Sequence, residues 1–84
     1  MNIFERPERE SELHQDLVDA VLRCEVGGMI VYHTGVSFHS AGKAMCSAVL
    51  AVQASGIAAP VQKVTGGTTS YGHRTFHYML WRVK

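Results

Sequence analysis

Ten residues near the C-terminal end, Arg74 to Val83 (RTFHYMLWRV), are the strongest strand candidate in the chain, and they constrain the fold more than any other segment. Aromatic and β-branched residues suit a pleated, covered surface. At period two, one face carries Phe76, Tyr78, Leu80 and Arg82, the other His77, Met79, Trp81 and Val83. Both faces are apolar enough to need cover. One is expected to take the helices of the chain, and the other to serve as a dimer surface or a binding surface. The preceding strand candidate, Ile57 to Val64, is interrupted by Pro60, which has no N–H to give to a ladder. Its regular part is therefore expected after the proline. Thr65 to Gly72 (TGGTTSYG) reads as a loop, and two strands around a Gly-rich loop make a hairpin.

Upstream the apolar spacing turns helical. Leu13, Leu17, Ala20, Val21 and Cys24 form one stripe. Glu8, Glu10 and Glu12 at its start and Arg23 at its end suit the helix dipole, and Gly27-Gly28 ends it. Residues 1–8 read as a flexible tail. Met29 to His33 are strand formers closed by Thr34-Gly35. From Phe38 the helical spacing returns through Ala41, Met45, Ala48 or Val49, and Val52, with Ser37 as N-cap and Gly56 as stop. Between Thr34 and Ile57 the chain holds either one long helix, or a single turn near Val36–Ser40 followed by a longer helix. The order α-β-α-β-β predicts one α+β domain over residues 1–84: a three-stranded antiparallel sheet with two helices on one face, winged-helix-like. A chain this short buries only about 60% of its unfolded surface, which leaves little room for an enzyme pocket and favours a homodimer. No apolar run reaches the roughly 18 residues of a membrane span. The charged start is unlike a secretory leader, and two cysteines do not make a disulfide scaffold, so a cytoplasmic location is expected.

Charge is strongly segregated. All seven acids lie in residues 1–25, which hold three arginines and a formal net charge of −4. Residues 26–84 hold no acid and carry Lys43, Lys63, Arg74, Arg82 and Lys84, with four of the five histidines. Such a division points to an anionic partner, or to an acidic first helix folded back over the basic part. The familiar catalytic patterns fail on particular residues. Gly35-Val36-Ser37-Phe38-His39 has His39 where a nucleophile elbow needs glycine. Ala41-Gly42-Lys43-Ala44 lacks the first glycine and the hydroxyl residue of a phosphate loop. His33 and His77 sit on candidate neighbouring strands, and His39 and Cys46 on one candidate helix. No close His or Cys pair of the zinc-binding kind occurs, so neither metal nor cofactor is expected. Cys24 and Cys46 read as small core residues. Glu8, Glu12 and Asp16 are a solvated helix face.

Two binding modes remain. Lys43, Lys63, Arg74, Arg82 and Lys84 are candidate phosphate contacts to double-stranded DNA, with His39 and Tyr71 as secondary candidates on the helix and the hairpin wing. Alternatively the hairpin, with Tyr71, Phe76, Tyr78, Met79 and Trp81, engages a protein, and Trp81 is either core or an interface anchor. DNA binding requires the five cations on one face; protein binding requires an exposed aromatic patch; an enzyme requires a polar cluster such as His33 beside His77.

The series Met29 to Gly35 (MIVYHTG), an Ala-rich helix ending in Ala54-Ser55-Gly56, Val61-Gln62-Lys63 and Phe76-His77-Tyr78 resembles a set of small phage and prophage proteins. In that set a VYHTG strand, an alanine-rich helix, a V-Q-K/R strand and an aromatic F/Y-x-Y strand recur in this order. The likeness covers about residues 26–83. Many of those proteins have an Asp-Arg pair after the glycine of the first strand. Here Ser37-Phe38-His39-Ser40 stands there, so any role of that pair does not carry over. The resemblance implies a phage or prophage origin and action inside a host cell. Small phage proteins of this size are mostly DNA-binding regulators or inhibitors of a host machine, including anti-CRISPR proteins. The expectation is therefore a non-enzymatic, DNA-binding regulatory protein, with a phage accessory protein that binds and inhibits a host protein as the alternative.

Overall fold

The apolar stripe of the first 25 residues folds as the helix it predicts. The structure is a computed structural model describing residues 2–84. A 3₁₀ turn over Glu10–Glu12 leads into α1 (Leu13–Arg23), which buries Leu13, Leu17 and Val21, with Cys24 just beyond its end. The turn Glu25–Gly28 reverses the chain through a positive φ at Gly27, and β2 (Met29–Gly35) follows. Between β2 and the next strand the chain takes the two-piece option. A 3₁₀ turn spans Phe38–Ala41 and α2 spans Lys43–Ser55. Gly42 separates them at φ 94°, a left-handed value that no helix continues through. Ser37 caps the 3₁₀ turn rather than α2, its Oγ accepting the Ser40 N–H at 3.2 Å. Gly56 ends α2 at φ 81°, as expected of a left-handed cap.

β3 (Ala58–Thr68) and β4 (Arg74–Arg82) form the hairpin. β4 lies between β2 and β3 and is antiparallel to both, so the three main strands and two helices make the expected α+β layout. A fourth, two-residue strand completes the sheet. The segment read as a tail begins with β1 (Asn2–Ile3), parallel to β2. Phe4 N–H then donates to Val31 C=O at 2.8 Å and its ring packs on the core, while Arg6 Nη1 donates to Ala41 C=O at 3.2 Å. The backbone amides of β2's edge needed partners, and the first residues supply them.

β3 runs through Pro60 instead of starting after it. Val83 N–H donates to Ile57 C=O, which sets the alternation of the ladder. Residues 57, 59 and 61 turn their polar groups toward β4, so residue 60 turns its own outward. On an edge strand an outward-facing proline costs no ladder bond. β3 also extends beyond Val64. The register shifts between Val64 (opposite Phe76) and Thr68 (opposite Arg74), a bulge that absorbs Thr65, Gly66 and Gly67, with Gly66 at φ 87°. The loop proper is Thr69–His73, closed by Thr69 N–H to His73 C=O at 2.8 Å.

Both helices lie on one face of the sheet. There Leu13, Leu17 and Val21 of α1 and Met45, Val49 and Val52 of α2 pack on Ile30, Tyr32, Tyr78 and Leu80. Each cysteine donates its thiol to a carbonyl, Cys24 to Ala20 and Cys46 to Phe38, both at 3.4 Å, and neither is in a disulfide. Among the described residues no helix is long and apolar enough to cross a membrane.

Candidate binding surface

The strand register fixes what the other face of the sheet presents, because residues directly opposite in a ladder share a face. Across β2, β4 and β3, one row is Thr34, His77 and Lys63, the next Val31, Met79 and Val61, the third Met29, Trp81 and Ala59. A bulge at Tyr32 keeps Val31 and Thr34 on this face while turning both Tyr32 and His33 toward the helices. No helix lies over these rows among the described residues. Met79 at the centre is only 2% exposed, and Val31 beside it is buried as well. Trp81 (42%) and Met29 (38%) remain open to solvent. Beside Met79 lies a mainly apolar depression of about 540 Å³ lined by Gly27, Met29, Val61, Gln62, Lys63 and Met79.

The polar end of the face is held by short bonds. His77 Nδ1 and Thr34 Oγ1 lie 2.9 Å apart, and Thr65 Oγ1 and Thr75 Oγ1 2.6 Å apart. Lys63 is exposed and forms no ion pair among the described residues. The ion pairs found there, Arg6–Glu10 and Arg9–Glu12, both lie within the first 25 residues. The acidic segment therefore does not neutralise the basic one through direct contacts.

The helix side of the sheet holds a different polar group. His33 stacks on Tyr78 with ring centroids 5.8 Å apart, and its Nε2 lies 2.6 Å from Ser40 Oγ. A histidine on a serine invites a nucleophile–base reading, but the proton count opposes it. Ser40 has one hydroxyl proton, and its 2.5 Å contact with Ser37 C=O can be made only by donating that proton. Nε2 must then be the donor to Ser40 Oγ, which fixes the Nε2–H tautomer and leaves Nδ1 as the basic nitrogen. Burial holds the His33 pKa below its ordinary value. Nearby, burial first, then the neighbouring Cys46 and Tyr78, push the Tyr32 phenol up to about 12. His77 lies on the opposite face of the sheet, so the two histidines do not form a cluster. His39 sits on the 3₁₀ turn and Cys46 on α2, not on one helix. No group of three His, Cys, Asp or Glu suited to a metal ion occurs among the described residues.

The five candidate phosphate contacts are spread over the molecule. Lys43 opens α2 and Lys84 lies at its other end, where a Cβ on Gly56 would be 3.5 Å from Lys84 Nζ. Thirteen residues of helix separate those ends by about 20 Å. Lys63 is on the helix-free face, and Arg74, opposite Thr68, faces the other way near the hairpin end. Arg82 is committed within the chain: Nη1 donates to Leu22 C=O at 3.1 Å and Cys24 C=O at 2.5 Å, and Nε to Lys84 C=O at 2.7 Å. It caps the C-terminal end of α1. His39 is exposed on its turn, and Tyr71 stands at the hairpin tip, 88% exposed. Sequence reasoning identified the Met79 and Trp81 face but not its neighbours Met29 and Val61, which join it only through strand pairing.

The chain matches no protein-family model, no curated protein and no solved structure.

Proposed function

We propose that this chain is a protein-binding accessory module that engages its partner through the helix-free face of the sheet. One observation carries the reading: an apolar sheet face on which Met29 and Trp81 stand open to solvent around a half-buried Val61 and a buried Met79, while the helices occupy the other face. Exposed aromatic and Met side chains beside a depression are what interface cores are built from. In the phage setting that the sequence resemblance implies, the partner is a host protein and binding inhibits it. The test is capture from a bacterial lysate by the tagged wild type, by Trp81→Ala and Met29→Lys, and by Leu50→Lys on the exposed side of α2. A partner held by the wild type and Leu50→Lys, and lost by the two face variants, is the expected result. Equal capture by all four rejects the face.

A second reading, DNA contact through a winged-helix-like hairpin, is favoured by one feature. The hairpin end carries Tyr71, His73 and Arg74 without an acid, and Lys63 lies about 10 Å back along the strand. Anisotropy of a labelled duplex, titrated with salt, tests it. Few phosphate contacts predict a shallow slope, with log affinity falling by about 2 to 3 per decade of salt. Absence of binding at low salt removes this reading.

A further inference from the structure

We infer that the partner segment seated on the helix-free face is acidic as well as apolar: one large apolar side chain fills the depression beside Met79, and a neighbouring carboxylate meets Lys63. This rests on the protein-binding reading above and adds the chemistry of the partner. The depression is walled by Met29, Val61 and Met79 and rimmed by Lys63, so its apolar floor and a cation are within one residue's reach of each other. The cation has no intramolecular partner: the described ion pairs lie elsewhere, and residues 26–84 supply no acid. The next position across the strands is His77, whose Nδ1 is held by Thr34, leaving Nε2 as its outward nitrogen. In the Nε2–H tautomer this nitrogen is a second donor. A surface that offers donors and a cation but no carboxylate selects for an anionic partner and repels a basic one.

A second copy of the chain is a poorer fit to the same face. Face-to-face pairing brings two acid-free surfaces together and leaves Lys63 without a counter-charge. Six of the seven acids sit on and before α1, behind the sheet, and the seventh, Glu25, lies in the turn after it that also carries Gly27. A copy that used the acids of α1 would dock head to tail, which generates rings or open chains rather than a two-fold pair.

The test is selection from a random linear-peptide display library against the wild-type protein, with Val61→Lys and Met29→Lys as counter-targets and Lys63→Glu as a charge-reversed target. Circular dichroism on each variant verifies its fold. Both substitutions of Lys63 change one solvent-exposed side chain, so they serve if a counter-target fails to fold. Peptides retained by the wild type and rejected by the counter-targets are expected to place Asp or Glu beside a large apolar residue. Lys63→Glu is expected to turn that preference toward Lys and Arg. For one selected peptide, Lys63→Gln should weaken binding about fivefold at low salt, a difference that shrinks as salt rises. Face-dependent peptides without acids overturn the acidic partner and leave the docking face standing. Peptides bound equally by the counter-targets overturn both. Wild-type self-association in sedimentation that Met29→Lys abolishes assigns the face to a second copy and overturns the proposal.

Discussion

Single residues at the end of β2 fit so closely that their identities are constrained. A Cβ on Gly35 would lie 2.7 Å from His33 Nε2 and 2.8 Å from Ser40 Oγ. Gly35→Ala therefore displaces the ends of these two side chains and disturbs the His33–Ser40 contact. The expected loss is about 0.5–1.5 kcal/mol of stability in urea denaturation, the net worth of one hydrogen bond. His33 itself makes stability depend on pH. Its folded pKa is depressed, so the native state binds fewer protons than the unfolded state. The contribution is fully present above the unfolded value near 6.5. It is lost as pH falls through the lower folded value. The denaturation midpoint should drop across that interval, and His33→Phe should flatten the drop; an unchanged slope would remove His33 as its source. The sequence marked Gly35 only as the end of a strand and gave no sign that Ser40 meets His33. Their importance comes from a bulge at Tyr32 that turns His33 inward, and single-residue bulges leave no mark in apolar periodicity.

At the scale of elements, the helices and the last strand were legible because each holds one apolar period over three or more turns or pleats. Leu13, Leu17 and Val21 are buried as their spacing requires, and Tyr78 and Leu80 share the face assigned to them. What escaped was punctuation. Ser37 and Gly42 both resemble helix starts, and only the positive φ at Gly42 decides that the Phe38–Ala41 turn and α2 are separate. Pro60 signalled a break because its direction on the edge cannot be known before the ladder is. Arg82 shows the same limit in energetic form. As a charge in sequence it looked available to a ligand; in the fold it joins the end of α1 to the end of β4, and its backbone exchanges bonds with Gly27 and Gly28. Arg82→Ala is expected to cost about 1.5–3 kcal/mol, the range for hydrogen bonds to charged groups, with accelerated amide exchange at the C-terminal turn of α1. Loss of ligand binding at unchanged stability would instead return Arg82 to the list of contact residues.

For the whole molecule, the sequence announced that β4 would have two covered faces but not which strands would widen the second. Met29 and Val61 are thirty-two residues apart and meet on either side of Met79 only through pairing. The half of the candidate site drawn from β4 was thus legible, and the half drawn from its neighbours was not. The face is also separable from the core. Trp81→Ala and Met29→Lys remove side chains that are partly in water and lie outside the core cluster, so thermal midpoints should shift by only a few degrees while partner capture falls. A collapse of stability in both would mean that the face is structural and not a docking surface.

The two borders of the sheet bear on how this protein behaves at high concentration. On one side β1 lays two residues along β2; on the other Pro60, the third residue of an eleven-residue strand, points its ring nitrogen away from the ladder. A stray strand that tried to extend the sheet would find one border partly taken by β1 and the other missing a donor near its start. Growth by stacking edge on edge is thereby discouraged, and molecules can accumulate without zipping together. A molecule that lands on the broad side of the sheet instead meets side chains rather than open backbone, and side chains allow selective recognition.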